Sequence, residues 1–273
     1  MGTARRHQKA STSRKSRKSG KRLIVIVAAC IIVVTVVVVL SLSGRGSAVT
    51  FPDPNLEAEI REAIGKPAGH IYESDLETVT ALDAPGQLES QTNIQDLSGL
   101  QYCSNLIDLN LELNTHISDL SPLSDLTNLT DLDLWHNQVS DISPLGNLTN
   151  LEYLHLYSNQ IGDISSVANL TKLRSLSLQY NQVNDISPLA NLTSLISLDL
   201  WHNQISDISS LVNLTSLTYL YLPRNQISNI SPLVDNEGLS AGDEVYLSGN
   251  PLSSDSIDIY IPQLQARGVT VYY

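Results

Sequence analysis

Aromatic, imidazole and guanidinium side chains recur between positions 135 and 246 at a nearly constant spacing along the sequence. Trp, Tyr and Arg supply much of the binding energy at protein surfaces, through contact area and hydrogen bonds. The candidate binding residues are Trp135, His136, Tyr153, His155, Tyr157, Tyr180, Trp201, His202, Tyr219, Tyr221, Arg224 and Tyr246. The sequence has no nucleophile beside a candidate base and no glycine-rich phosphate loop, so it favours binding over catalysis.

Aspartates recur at the same spacing, at Asp119, Asp141, Asp163, Asp185 and Asp207. Stacked carboxylates can bind calcium, but an Asp in a turn more often accepts hydrogen bonds from its own backbone, and we expect the latter. His136 and His202 lie near Asp133 and Asp199 in the sequence. We expect these imidazoles to be solvated rather than metal-bound. The sequence therefore predicts neither a metal nor a cofactor.

The elements that position these side chains are repeated units, each of which begins at a leucine. They begin at Leu106, Leu129, Leu151, Leu173, Leu195 and Leu217, so the first unit is longer by a single position than the equal units that follow. The unit reads L-x-x-L-x-L-x-x-N-Q-I-x-D-I-S-P-L-x-N-L-T-x; a degenerate seventh unit covers 243–252, and a half unit leads in at Asn93. Alternating Leu132-Asp133-Leu134 predicts a short strand, and Ser143-Pro144 predicts a short helical turn.

An asparagine ends the strand of every unit. These residues are Asn114, Asn137, Asn159, Asn181, Asn203, Asn225 and Asn250. A buried amide at this place can bond the backbone of its own turn and of the neighbouring unit, where water has no access. We predict a structural asparagine ladder along a stack of units, because one unit alone cannot offset its conformational entropy.

The unit resembles the leucine-rich-repeat family, and within it the 22-residue class of bacterial internalins. The stretch N-Q-I/V-x-D-I-S-P-L-x-x-L-T-N-L carries the resemblance, which covers roughly Asn93 to Leu252. It implies a curved solenoid, with a parallel β-sheet on the concave face and short 3-10 or irregular turns on the convex face. It also implies a helical N-terminal cap. The family shares a scaffold and not a ligand, so the resemblance implies no specific partner.

The repeats need caps over their terminal apolar layers. Asp53-Pro54, followed by an apolar stripe, predicts an amphipathic helix, and a second short helix is expected from Ser74 towards Val79. At the other end we expect a helix over 254–266 and a strand over 269–272. The predicted domains are a linker at 43–50, a helical cap at 51–92, repeats at 93–252 and a C-terminal cap at 253–273.

The N-terminal segment predicts a membrane anchor. Residues 1–22 hold nine Lys or Arg and no acidic residue, and the run from Leu23 to Leu42 is uncharged throughout. Such a run spans about 30 Å as a helix, the thickness of the bilayer core. The positive-inside rule places the basic tail in the cytoplasm and the repeats outside it. A cleaved signal peptide, or a lipoprotein signal at Cys30, is the alternative.

Charge excludes one class of partner for the folded part. From Arg45 onwards the chain holds 7 Lys or Arg against 28 Asp or Glu, a formal charge of −21. A surface this acidic repels phosphate backbones, so we expect no nucleic acid on the folded domain.

The third, fifth, seventh and eighth residues of each unit are expected to face outward on the concave side. These positions hold 8 of the 13 Trp and Tyr residues of the chain. We therefore expect a protein or peptide ligand, held at two aromatic patches, one around Trp135 and one around Trp201. Three alternatives stay open: rings that only pack on one another, a glycan ligand, and an intracellular regulatory scaffold with cytoplasmic repeats.

Overall fold

The computed structural model describes residues 46–88 and 93–273. The predicted basic tail (1–22), the apolar run Leu23 to Leu42 and the start of the predicted linker lie outside the described residues. Within the described ranges, no helix has the length and apolar composition that crossing a bilayer requires. The transmembrane helix therefore stays a prediction.

The N-terminal cap is a mixed α/β unit, whereas a helical cap was predicted for 51–92. Strand β1 (Ala48–Val49) pairs antiparallel with β2 (Ile71–Tyr72), and helix α1 (Pro54–Ala63) lies between them in the sequence. Helix α2 (Glu73–Leu76) follows directly and is shorter than predicted. Two-residue strands carry no readable alternation. The sequence therefore shows no sign of β1, which lies in the stretch predicted to be a linker.

Asp53 begins α1 and also joins the cap to the first repeat. Its Oδ1 accepts hydrogen bonds from the amides of Asn55 (2.8 Å) and Leu56 (3.3 Å), as an N-cap residue does. Its Oδ2 accepts from the amides of Gln95 (2.7 Å) and Asp96 (3.2 Å). The helix therefore begins where the Asp53-Pro54 pair predicted.

Nine parallel strands form one sheet, in which each strand pairs with those of the neighbouring units. They are β3 (Ala81–Asp83), β4 (Asp108–Asn110), β5 (Asp131–Asp133), β6 (Tyr153–His155), β7 (Ser175–Ser177), β8 (Ser197–Asp199), β9 (Tyr219–Tyr221), β10 (Glu244–Tyr246) and β11 (Thr270–Tyr272). Central residues are in register, as Leu132 is with Leu154. Strand β3 was not predicted, because it belongs to the cap and lacks the repeat consensus.

Short helical turns connect the strands on the opposite side. The 3-10 helices are Leu100–Tyr102, Ser121–Leu123, Ser143–Asn147, Ser165–Asn169, Ser187–Asn191 and Ser209–Asn213, and helix α3 (Ser231–Asp235) follows in the same series. The predicted solenoid, with a parallel sheet and short 3-10 turns, is confirmed.

The recurring aspartates stabilise these turns. Asp141 Oδ1 accepts a hydrogen bond from the Ser143 amide at 2.8 Å, and the same bond recurs in the neighbouring turns. These bonds to Ser143 hold the pKa of Asp141 below its usual value. Asn229 makes the same bond without a charge, since its Oδ1 accepts from the Ser231 amide at 2.9 Å.

Aliphatic side chains fill the interior as one continuous cluster. Cys103 lies fully buried in it, and burial raises the pKa of its thiol to about 12. The thiolate is the reactive form, so Cys103 serves as a small apolar residue.

The C-terminal end is closed by a helix and an arginine. A π-helical turn (Ser256–Tyr260) continues into helix α4 (Ile261–Ala266). Arg267 then donates to the carbonyl oxygens of Val234 (2.6 Å) and Leu239 (2.7 Å). These bonds satisfy main-chain carbonyls of the preceding coil.

The asparagines that end the strands form a ladder between successive units. Asn181 is typical: its Nδ2 donates to the carbonyls of Leu156 (2.9 Å) and Leu178 (3.1 Å), and its Oδ1 accepts from the Ile161 amide (2.9 Å). The same bonds recur at Asn114, Asn159, Asn203, Asn225 and Asn250. Each amide thus pairs backbone groups of two units.

Asn137 departs from this pattern. Its Nδ2 donates to the carbonyls of Leu111 (3.0 Å) and Leu134 (3.1 Å), but its buried Oδ1 has no donor among the described residues. The unit before it is the longer one, so Ile117 stands three positions after Asn114, where the next units have two. We attribute the missing bond to this insertion, which moves the Ile117 amide out of register.

Candidate ligand-binding surface

The open face is the side of the nine-stranded sheet that is turned away from the core, and it carries the third, fifth, seventh and eighth residues of each unit. In β6, Tyr153 and His155 flank the buried Leu154, so both leave the sheet on the open face. None of the twelve predicted binding residues is buried, and Trp135 and Trp201 lie half-exposed outside the aliphatic interior. The repeat register therefore places all twelve on one surface.

A continuous aromatic row, Trp135–Tyr157–Tyr180–Trp201, crosses four units of this face. The first two rings stack with centroids 5.6 Å apart and an interplanar angle of 12°. Tyr180 then lies 5.5 Å from Tyr157 and 4.8 Å from Trp201. The prediction of two separate patches is wrong, because Tyr180 fills the gap between them.

The eighth residue of the unit has an unusual backbone, which explains this bridge. Left-handed φ angles occur at His136 (56°), Tyr180 (52°), His202 (59°) and Arg224 (53°). This conformation turns the chain after the strand and costs a side-chain-bearing residue about 1–3 kcal/mol. It brings the Tyr180 ring against His202, with ring centroids 4.7 Å apart, as well as against Tyr157 and Trp201.

A tyrosine stack, Tyr221–Tyr246–Tyr272, lies at the C-terminal end of the sheet. Both pairs of ring centroids are 4.4 Å apart, with interplanar angles of 10° and 14°. These residues are directly opposite one another in β9, β10 and β11, so the spacing of parallel strands sets the stacking distance. Tyr272 was missed as a site residue, although its place in the predicted last strand was available as a signal.

An apolar groove of about 390 Å³ lies between the row and the stack. Its walls are Asp199, Trp201, Tyr221, Pro223, Arg224, Ser248 and Gly249. The Arg224 guanidinium lies 5.9 Å from the centre of the Trp201 ring, within the range of a cation–π contact. Burial raises the pKa of Asp199 to about 6, although it accepts bonds from the Trp201 amide (3.0 Å) and Gln179 Nε2 (2.8 Å).

The acidic end of the open face is formed by Asp83, Asp108, Asp131 and Asp133, on β3 to β5. These residues, with Tyr153 and His155, line a second depression of about 390 Å³. His155 Nδ1 lies 3.2 Å from Asp133 Oδ2, and this bond raises the pKa of the imidazole. The acidic end was not among the predicted sites. Its signal in the sequence is that aspartates occupy outward-facing third and fifth positions of successive units.

The two histidines considered for metal binding, His136 and His202, each contact another side chain of the open face. His136 Nδ1 lies 3.0 Å from Ser158 Oγ, and His202 packs against Tyr180. No group of three or more metal-ligating side chains occurs in the part of the chain that the structure describes.

Comparison with known proteins assigns the repeats and the whole fold. The family description "Leucine Rich repeats (2 copies)" matches residues 127–169, 149–191, 171–211 and 193–235. An internalin of Listeria monocytogenes, internalin F, is 34% identical with a TM-score of 0.62, over 81% of this chain and 68% of that one. Internalin C2 of the same organism is 34% identical with a TM-score of 0.53, over 74% of this chain and 94% of that one.

A more distant similarity is to the leucine-rich-repeat ectodomain of a plant membrane receptor kinase from Arabidopsis thaliana. It is 27% identical with a TM-score of 0.52, over 63% of this chain and 22% of that one. A search of curated proteins finds no match. The repeat consensus, the nine-stranded solenoid and the two bacterial structures agree, and the chain belongs to the internalin-like leucine-rich-repeat proteins.

Proposed function

We propose that this chain is a binding protein that recognises a protein or peptide ligand on the open face of its sheet. The observation that carries the proposal is the aromatic row, four half-exposed rings that are held against one another before any ligand arrives. Rings fixed in this way lose little further entropy on binding. The fold supports binding in general, and the Arabidopsis ectodomain was solved in complex with CASPARIAN STRIP INTEGRITY FACTOR 2.

The ring geometry favours a polypeptide over a glycan. A sugar ring stacks flat on an open aromatic face. Tyr246 has neighbours on both faces, Tyr221 and Tyr272, and the face of Trp135 that meets Tyr157 is covered. Ring edges, the groove and main-chain groups at the strand ends suit the mixed polar and apolar surface of a peptide.

Two exposed tyrosines offer a matched test. Tyr219 on the open face is 43% exposed, and Tyr102 in the 3-10 helix Leu100–Tyr102 is 39% exposed. A photo-cross-linking residue at position 219 is expected to capture a protease-sensitive partner on cells, whereas one at position 102 is not. The pair Trp135→Ala and Trp201→Ala should abolish that adduct in a chain that stays folded. Equal capture from both positions, or an adduct that resists protease, would contradict the proposal.

We also propose that the chain is anchored by Leu23 to Leu42 with its repeats outside the cytoplasm. The support is the uncharged apolar run, which follows a tail with nine Lys or Arg side chains. Protease added to intact cells is then expected to degrade the repeats. Full protection, lost only after lysis, would favour an intracellular regulatory scaffold instead.

A further inference from the structure

The open face is polarised in charge along the array. Four aspartates lie in its first three strands, on β3, β4 and β5. Of the Lys and Arg side chains in residues 46–88 and 93–273, Arg224 alone belongs to the open face, and it borders the groove at the other end. One end therefore presents four aspartates close together, and the other presents rings and a guanidinium beside two separate carboxylates, Asp199 and Glu244.

The carboxylates at the acidic end are placed at a cost to the fold. Asp108 stands directly opposite Asp131 in the register of β4 and β5, about 4.8 Å away across parallel strands. Like charges in this position destabilise a sheet. Asp108 is largely exposed, and its carboxylate has no hydrogen-bond or ion-pair partner among the described residues. The partial loss of solvent around the carboxylate raises its pKa, and the like charges of Asp131 and Asp83 raise it further.

A cationic partner would remove this repulsion. From β4 to β9 the sheet advances five strands, roughly 24 Å at 4.8 Å each. An extended segment of about seven residues covers that length. Charge complementarity of this kind directs both the orientation and the association of a partner.

We propose that the partner is a cationic polypeptide segment that lies across the strands, with lysine or arginine over the acidic end and an apolar side chain in the groove beside Trp201. This inference rests on the proposed function and adds the chemistry and the orientation of the ligand. It assigns a role to Asp108 and Asp131, which stand opposite each other in the sheet and lie outside the aromatic row, although Asp131 Oδ2 also accepts a hydrogen bond from Thr130 Oγ1 at 2.5 Å.

The test uses the full chain in a non-ionic detergent and two synthetic probes with capped termini. One is Trp-Gly-Ser-Gly-Ser-Gly-Lys-Lys-Lys, and the other carries Glu in place of each Lys. Calorimetric titration is expected to give the lysine probe at least about tenfold higher affinity. Salt at a few hundred millimolar should reduce that preference by screening.

A pair of double variants locates the effect. Asp108→Asn with Asp131→Asn should weaken the lysine probe by about tenfold and leave the glutamate probe no weaker. The control, Asp141→Asn with Asp185→Asn, changes the net charge equally but lies in the turns opposite the sheet. Asn keeps the turn bond, as Asn229 shows by accepting from Ser231. Unfolding is not expected for the first pair, because it removes a repulsion.

The outcomes separate this inference from the proposed function. Equal affinity for the two probes, or equal loss in both double variants, would overturn the charge assignment. The proposed function would survive that result if Tyr221→Ala still weakened both probes. Binding of neither probe, or binding of a neutral polysaccharide in their place, would overturn the inference.

Discussion

Replacing a ladder asparagine should cost different amounts at two sites that look identical in the sequence. Asn181 donates to the carbonyls of Leu156 and Leu178 and accepts from the Ile161 amide. Asn137 makes the equivalent donated bonds but accepts none among the described residues. The variants Asn181→Ala and Asn137→Ala therefore differ by one accepted hydrogen bond.

The magnitude follows from what each variant leaves behind. Both create a similar small cavity and remove an amide that donates to three main-chain carbonyls. Asn181→Ala also leaves the Ile161 N–H buried without an acceptor, which costs about 1–3 kcal/mol. We expect the free energy of unfolding to fall by that much more for Asn181→Ala than for Asn137→Ala.

Denaturant unfolding followed by circular dichroism measures the difference. Amide hydrogen exchange provides a local readout, because the Ile161 amide should lose protection in Asn181→Ala and keep it in Asn137→Ala. Equal losses of stability, with Ile161 protected in both, would refute the idea that the accepted bond sets the strength of the ladder. The same result would contradict our explanation that the longer unit weakens the ladder by removing the hydrogen bond to Asn137 Oδ1.

Three further predictions concern Asp199, Ser158 and Cys103. The folded-state pKa of Asp199, about 6, exceeds its unfolded value of about 3.9, so the protonated form favours folding and stability should fall as pH rises from about 4 to 6. Melting temperatures should show a smaller fall in Asp199→Asn, and an unchanged profile would contradict the assignment. Ser158 has a φ of 56°, so Ser158→Val should unfold at lower denaturant than Ser158→Gly, by roughly 1–3 kcal/mol; equal midpoints would show that this backbone is unstrained. In a Cys30→Ser background, iodoacetamide at pH 8 should label Cys103 only after unfolding, because burial raises its pKa to about 12. Labelling is measured by mass spectrometry, and a labelled Cys103 in the native chain would contradict the prediction.

The repeat consensus is enough to predict the solenoid, the asparagine ladder and the side of the sheet on which the rings lie. These features depend on spacing within one unit: alternation places Leu154 inside and Tyr153 outside, whatever the neighbouring unit contains. The Asp53-Pro54 start of α1 is local in the same sense, since a cap bonds amides two and three residues ahead.

Tertiary structure alone decided which side chains meet across units. Tyr180 joins the two expected aromatic patches because a left-handed φ redirects its side chain. Asp108 meets Asp131 because β4 and β5, which belong to successive units, pair in register. The unpaired Oδ1 of Asn137 reflects an insertion in the unit before it. The pattern within one unit carries no information about the backbone angles of its neighbour. Contacts between units are therefore visible only in the folded structure, where the units are stacked.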